Sequence, residues 1–117
     1  MPAYNFQGRF ADDVEVGRKR QTIRQKRKRR TKKGDPLYLF TGMRTPHCRK
    51  LRDTTCRRVR PIQIGKNVIR VDGQSIKTNS AAAGRFARLD GFSGSAEMIN
   101  WFRKTYGPRF YGVVIYW

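Results

Sequence analysis

Residues 61–73 read Pro61-Ile62-Gln63-Ile64-Gly65-Lys66-Asn67-Val68-Ile69-Arg70-Val71-Asp72-Gly73. Two short runs of β-branched residues flank the Gly65-Lys66-Asn67 turn, and Asp72-Gly73 closes the second, a pattern that predicts a meander of short strands. Upstream, Gly34-Asp35-Pro36 is a turn signal, and Leu37-Tyr38-Leu39-Phe40 behind it is a continuous apolar run of strand length. Such a run belongs near the centre of a sheet. Downstream, Phe110 to Trp117 is a last apolar strand.

Two helices separate the meander from that last strand. Ser80 can cap a helix over Ala81 to Leu89 that ends at Asp90-Gly91, and Ser95 can cap one running to Tyr106 that Gly107-Pro108 closes. On the second helix Met98, Trp101, Phe102, Thr105 and Tyr106 share a face opposite Asn100, Arg103 and Lys104, and read as core packing. At the N-terminus, Pro2 to Gln7 predicts a strand. Phe10 to Val16 predicts a short helix, with Asp12 and Asp13 at its positive end and Gly17 as its stop. Arg20 to Arg24 predicts a strand with Gln21 and Ile23 toward the core and residues 20, 22 and 24 turned away. Residues 49–60 alternate poorly. The order predicts one α+β domain over residues 1–117, a small β-barrel, open or closed, with two or three peripheral helices.

The charge of this chain is as informative as its pattern. It carries 27 Lys and Arg against 8 Asp and Glu, a formal net charge of +19 on 117 residues. Such an excess repels itself in a compact domain unless an anion offsets it. It is also lopsided, with +14 in residues 1–60 and +5 in residues 61–117. From Arg18 to Lys33, 11 of 16 residues are basic and none is acidic. That segment includes a basic loop at about 25–34 and points to a polyanionic partner.

No run of about 18 apolar residues and no apolar signal core is present, so a soluble, cytoplasmic protein without a membrane partner is expected, bacterial or virus-encoded and acting in its host. Cys48 and Cys56 lie eight residues apart beside the only histidine, His47. A metal site needs more ligands in a tighter pattern, so the reading is two reduced thiols and a surface histidine, with no metal and no cofactor.

Several further residues, taken together and in order, resemble the ASCH domain family of the PUA-like superfamily. They are Phe6 through Phe10, the short helix ending at Gly17, the G-x-K-x-x-T-I-R pattern from Gly17 to Arg24, and the Gly34-Asp35 start of an apolar strand. Asp90-Gly91-Phe92 after an alanine-rich helix, then Glu97-Met98 and a terminal strand, also match. The resemblance implies a PUA-like barrel with a cleft lined by the lysine of the G-x-K pattern, and members that bind or act on RNA or nucleotides. One branch, the bacterial N4-acetylcytidine amidohydrolases, uses a lysine, a threonine and a glutamate, which fall here on Lys19, Thr22 and Asp90. Other members resemble ribonucleases. This chain departs from the amidohydrolase pattern in having Asp90 for glutamate and a longer, more basic loop after Arg24.

A threonine hydroxyl needs a base, and Lys19 serves as one only if its pKa falls far below its free value. Arg18 and Arg20 push it down and an adjacent Asp90 pushes it up. On a regular strand, residues 19 and 22 face opposite ways, so both line one pocket only if Lys19 belongs to the turn after Gly17. For phosphates, the expected contacts are Arg18, Arg20, Arg24, Lys26, Arg27, Lys28, Arg29, Arg30, Lys32, Lys33, Arg57 and Arg58. Among the aromatics Tyr4, Tyr38, Phe40 and Phe92, Phe92 is the one expected to reach the cleft and stack on a base. Three functions remain open: a module binding single-stranded RNA or DNA, a hydrolase in the same cleft, and an adaptor for an acidic protein.

Overall fold

The structure is a computed structural model and describes residues 2–117. Eleven elements follow one another: β1 (Ala3–Phe6), α1 (Gly8–Val16), β2 (Gln21–Arg24), β3 (Pro36–Thr41), β4 (Arg49–Thr55), β5 (Arg58–Ile64), β6 (Val68–Val71), β7 (Gln74–Lys77), α2 (Ala81–Leu89), α3 (Ser95–Tyr106) and β8 (Phe110–Tyr116). The fold is α+β. Its strands form two sheets, one of three in the order β1-β3-β4 and one of five in the order β2-β8-β5-β6-β7.

The apolar run at 37–40 is the central strand of the smaller sheet, parallel to β1 and antiparallel to β4. Leu37 and Leu39 point into the core and are fully buried, while Tyr38 and Phe40 are half-buried on the other face. The meander is β5-β6-β7, each strand antiparallel to the next. The last strand, β8, lies between β2 and β5. Phe110, Val114 and Ile115 fill the core from it, with Val14, Ile69, Met98 and Phe102 from the elements around it.

Of the open and closed barrels that the sequence allows, the closed one does not form: among the described residues the strands make two separate sheets and no ladder joins β1 to β2. Three sequence expectations change. Residues 49–60 contain all of β4 and the start of β5. Their pattern is hidden because β4 is an edge strand with one buried residue, Leu51, and the register shifts between Leu39 and Phe40. Helix α1 begins at Gly8, so Asp12 and Asp13 lie beyond its first turn. Ser95 does not cap α3: Gly94 holds the N-cap position, and Glu97 reaches back to accept the Ser93 N–H at 2.8 Å. Ser80 caps α2 as expected, accepting the Ala83 N–H at 3.2 Å.

The second sheet closes over a glycine. A Cβ on Gly112 would sit 2.3 Å from the Arg24 carbonyl oxygen and 2.6 Å from the Phe110 ring. The first neighbour is backbone and cannot rotate away. Gly112→Ala is therefore expected to lower the free energy of unfolding by about 1–3 kcal/mol, read from urea denaturation, with the slope of the transition unchanged.

Candidate nucleic-acid interface

The seam between β1 and β2 holds a cavity of about 160 Å³. Helix α1 ends at Gly17, whose φ of 87° is left-handed, and the Lys19 N–H donates to the Asp13 carbonyl at 2.9 Å. That turn keeps Lys19 ahead of β2 and free of strand alternation. Lys19 and Thr22 consequently line the same cavity. Expectation and structure part over β2 itself: Gln21, Thr22 and Ile23 are all buried, so both faces of the strand are covered.

Asp90 arrives from the other side, at the end of α2. The next residue, Gly91, has φ of 100°, and a Cβ there would stand 2.6 Å from the Phe10 ring and 3.4 Å from Lys19 Cδ. Glycine lets the chain pass this close. Lys19 Nζ donates to the Asp90 carbonyl and lies 3.4 Å from Asp90 Oδ1, and Gln21 Nε2 makes a long contact of 3.4 Å to the same oxygen. Lys19 is 3% and Asp90 4% exposed, so water screens this pair little.

Burial pushes the Lys19 ammonium below its ordinary pKa, against the pull of Asp90. It likewise pushes the Asp90 carboxyl up, against Lys19 and the Gln21 hydrogen bond. Both groups are driven toward their uncharged forms.

Arg24 bridges the seam. Its Nη2 donates to the Asn5 carbonyl of β1 at 2.7 Å, and its Nε donates to Thr22 Oγ1 at 2.9 Å. The guanidinium lies 4.9 Å from the Phe6 ring centre and 5.2 Å from that of Tyr4. On the same Tyr4 ring sits Arg27, at 4.0 Å, with its Nη2 donating to the Ala3 carbonyl at 2.8 Å. A line of cations thus runs from Lys19 through Arg24 to the root of the basic loop.

Residues 25–35 form no regular element, but both ends are tied down. Tyr4 and Thr31 share a hydroxyl hydrogen bond of 2.6 Å, the Lys32 N–H donates to Asp35 Oδ2 at 3.0 Å, and the Gly34 N–H donates to the Cys56 carbonyl at 2.8 Å. Lys26, Arg27, Lys28, Arg29, Arg30, Lys32 and Lys33 are all exposed. Among the described residues, none of these seven has a carboxylate within 4.0 Å.

The remaining expected contacts divide. Arg18 pairs with Asp13 at 2.8 Å, Arg20 Nε donates to the Gly17 carbonyl at 3.0 Å, and Arg57 and Arg58 join those two around a separate hollow. Elsewhere in the 49–60 segment, Arg49 pairs with Glu15 and Arg52 donates to the Glu15 carbonyl, so these cations serve helix α1. Phe92 touches the cavity but is 5% exposed, held edge-on by Phe10 with Trp101 and Phe102 beside it. It packs the wall and offers no free face.

The aromatics that do line the cavity with exposed surface are Trp101 and Tyr106, the latter 37% exposed. They flank the apolar stripe of α3, whose centre is Met98 and Phe102. The helical stripe alone carried no signal for this, since all its apolar members read as core packing. His47 and Cys48 are exposed, Cys56 is buried, and both thiols are free. Among the described residues no group of three or more His, Cys, Asp or Glu could hold a metal ion, and no helix is long and apolar enough to cross a membrane. Comparison with family models, with curated proteins and with solved structures returns no match to this chain.

Removing one member of the buried pair strands the other. Asp90→Ala is expected to cost about 3–5 kcal/mol in urea unfolding near neutral pH, whereas Lys19→Met combined with Asp90→Leu costs far less. Because folded Asp90 holds its proton above 3.8, the native state binds more protons there and its contribution to stability falls as pH rises from 3.8. Because folded Lys19 sheds its proton below 10.5, the unfolded state binds more and stability climbs as pH rises toward 10.5. The stability of the protein relative to the double variant should therefore pass through a minimum between these windows, measured by urea denaturation across pH.

Proposed function

We propose that this chain is a nucleic-acid-binding module of ASCH type, which grips the phosphates of a single strand with its basic loop and receives an unpaired base in the seam cavity. The observation that carries the proposal is the set of seven exposed loop cations without a carboxylate partner, rooted at Tyr4 beside the cavity. Six of the eight acidic residues are already paired with other cations. The field of the loop is thus left for an external anion, and a repeating phosphate chain neutralises it best.

The cavity suits what lies between phosphates. Trp101 and Tyr106 supply aromatic surface, and Thr22, Arg24, Asn5 and the Lys19–Asp90 pair supply polar groups. A base entering there stacks on its faces and meets hydrogen-bonding partners at its edge, the usual recipe for single-stranded RNA. Phosphate contacts from the loop set affinity and register, and the cavity supplies selection. The PUA-like reading of the fold rests on element order, the Gly17 turn and the meeting of Lys19 and Asp90 at an opening between sheets.

A hydrolase in the same cavity is the second reading, favoured by the convergence of Lys19, Thr22 and Asp90 and by the burial that drives Lys19 toward a neutral amine. In the free protein, however, Lys19 Nζ is already engaged by Asp90, and Thr22 Oγ1 accepts from Arg24. Turnover of RNA or of an N4-acylated cytidine that is lost in Lys19→Ala, with the fold intact, would establish this reading over binding alone.

Binding of a fluorescent single-stranded oligonucleotide is expected to weaken with a log–log salt slope near about −4 if about six phosphates are neutralised, more than about a hundredfold for a fourfold rise in salt. Replacing Arg27, Arg29 and Arg30 by Gln should flatten the slope by about 2. A salt-independent affinity, or a triple variant that binds like the parent, contradicts the proposal.

A further inference from the structure

A second hollow, of about 300 Å³, opens where β2 and β5 begin and β8 ends. The sheet register builds it. The Trp117 N–H donates to the Arg20 carbonyl and the Arg57 N–H to the Tyr116 carbonyl, while Gln21 and Arg58 both pair with Tyr116 from its two sides. Four arginines, Arg18, Arg20, Arg57 and Arg58, therefore gather around Tyr116 and Trp117. Of the four, Arg18 alone has a carboxylate partner within 4.0 Å among the described residues.

Two facts make this more than a solvated charge cluster. Arg20 is fixed, its Nε tied to the Gly17 carbonyl, and Arg58 lies 5.9 Å from the Tyr116 ring centre. Trp117 is 5% exposed, and its indole N–H is buried without a hydrogen-bond partner. The four arginines are exposed to solvent and keep their charge, and three of them lack a carboxylate, so the hollow attracts an anion.

We propose that this hollow is a site for a dianionic phosphate monoester, distinct from the seam cavity. A diester phosphate brings one negative charge and two free oxygens. A monoester brings nearly two charges and three acceptor oxygens, which suits three guanidiniums that lack a carboxylate partner. The source of such a group is either a free nucleotide or the phosphorylated end of a nucleic-acid strand. The second source deepens the proposed function and rests on it, since Gln21 lines the hollow and also contacts Asp90 Oδ1 of the seam cavity. A strand could thus be held by its end on one side of Gln21 and by a base on the other.

The two tryptophans make the test selective, because Trp101 lines the seam cavity and Trp117 the hollow. In a Trp101→Phe background, inorganic pyrophosphate is expected to shift Trp117 emission saturably. The shift should disappear in Arg57→Gln/Arg58→Gln, which keeps the side-chain stems. A 5′-phosphorylated or 3′-phosphorylated oligonucleotide should bind about tenfold tighter than its hydroxyl-ended twin, with that advantage lost in the same double variant; a nucleoside monophosphate competing equally well identifies the free nucleotide as source. If pyrophosphate shifts the emission but no oligonucleotide binds, the hollow stands and the nucleic-acid reading falls. If emission does not move and both oligonucleotides bind alike, the nucleic-acid reading stands and this site is refuted.

Discussion

The contact between Lys19 and Asp90 joins two parts of the chain that are 71 residues apart, and the interface is built around it. Lys19 belongs to the turn that ends α1, and Asp90 to the turn that ends α2. Each turn is made possible by a glycine at positive φ, Gly17 and Gly91. Their meeting fixes the floor of the seam cavity and holds it polar among Phe6, Phe10 and Phe92. A buried pair of this kind adds little to stability compared with apolar side chains of the same volume. Its presence in so small a core points to a role in the cavity rather than in packing.

The second constraint is the shortage of carboxylates. Glu15 anchors the edge strand β4 to α1 through Arg49, Asp13 holds Arg18, and Glu97 serves both the α3 N-terminus and Arg9. Acid is spent on fixing elements in place, and the loop after β2 receives none at its side chains apart from the turn made by Asp35. Backbone carbonyls and aromatic rings restrain it instead, which leaves its charges directed outward. The same accounting separates the cations of residues 49–60: Arg49, Lys50, Arg52 and Arg60 are engaged, whereas Arg57 and Arg58 have no carboxylate partner among the described residues.

Much of the fold was legible because its apolar runs are strong. Leu37–Phe40, the 61–73 meander and Phe110–Trp117 each announced a strand, and Ser80 announced a helix start. What stayed hidden had weak local signals. β4 has one core residue and a bulge against its partner, and β7 is an edge strand with only Ile76 half-buried. Whether the sheets close into a barrel was left open by the sequence, and the Arg24 contact to Asn5 across the seam is a tertiary contact that no local pattern encodes. In the site, the convergence of Lys19, Thr22 and Asp90 was expected from the family resemblance and from Gly17. The roles of Trp101 and Tyr106 were not, because a helical stripe does not reveal which of its members face a cavity and which face the core.

The central claim is that the basic loop and the seam cavity act as one surface along the Lys19–Arg24–Arg27 line. NMR titration with a short single-stranded oligonucleotide tests it most directly, following the Nε–H signals of Arg24 and Arg27 and the indole N–H of Trp101. The account requires all three to move together in one saturable process. Movement of loop signals alone, with Arg24 and Trp101 unchanged, would reduce the loop to a nonspecific charge run and contradict the account.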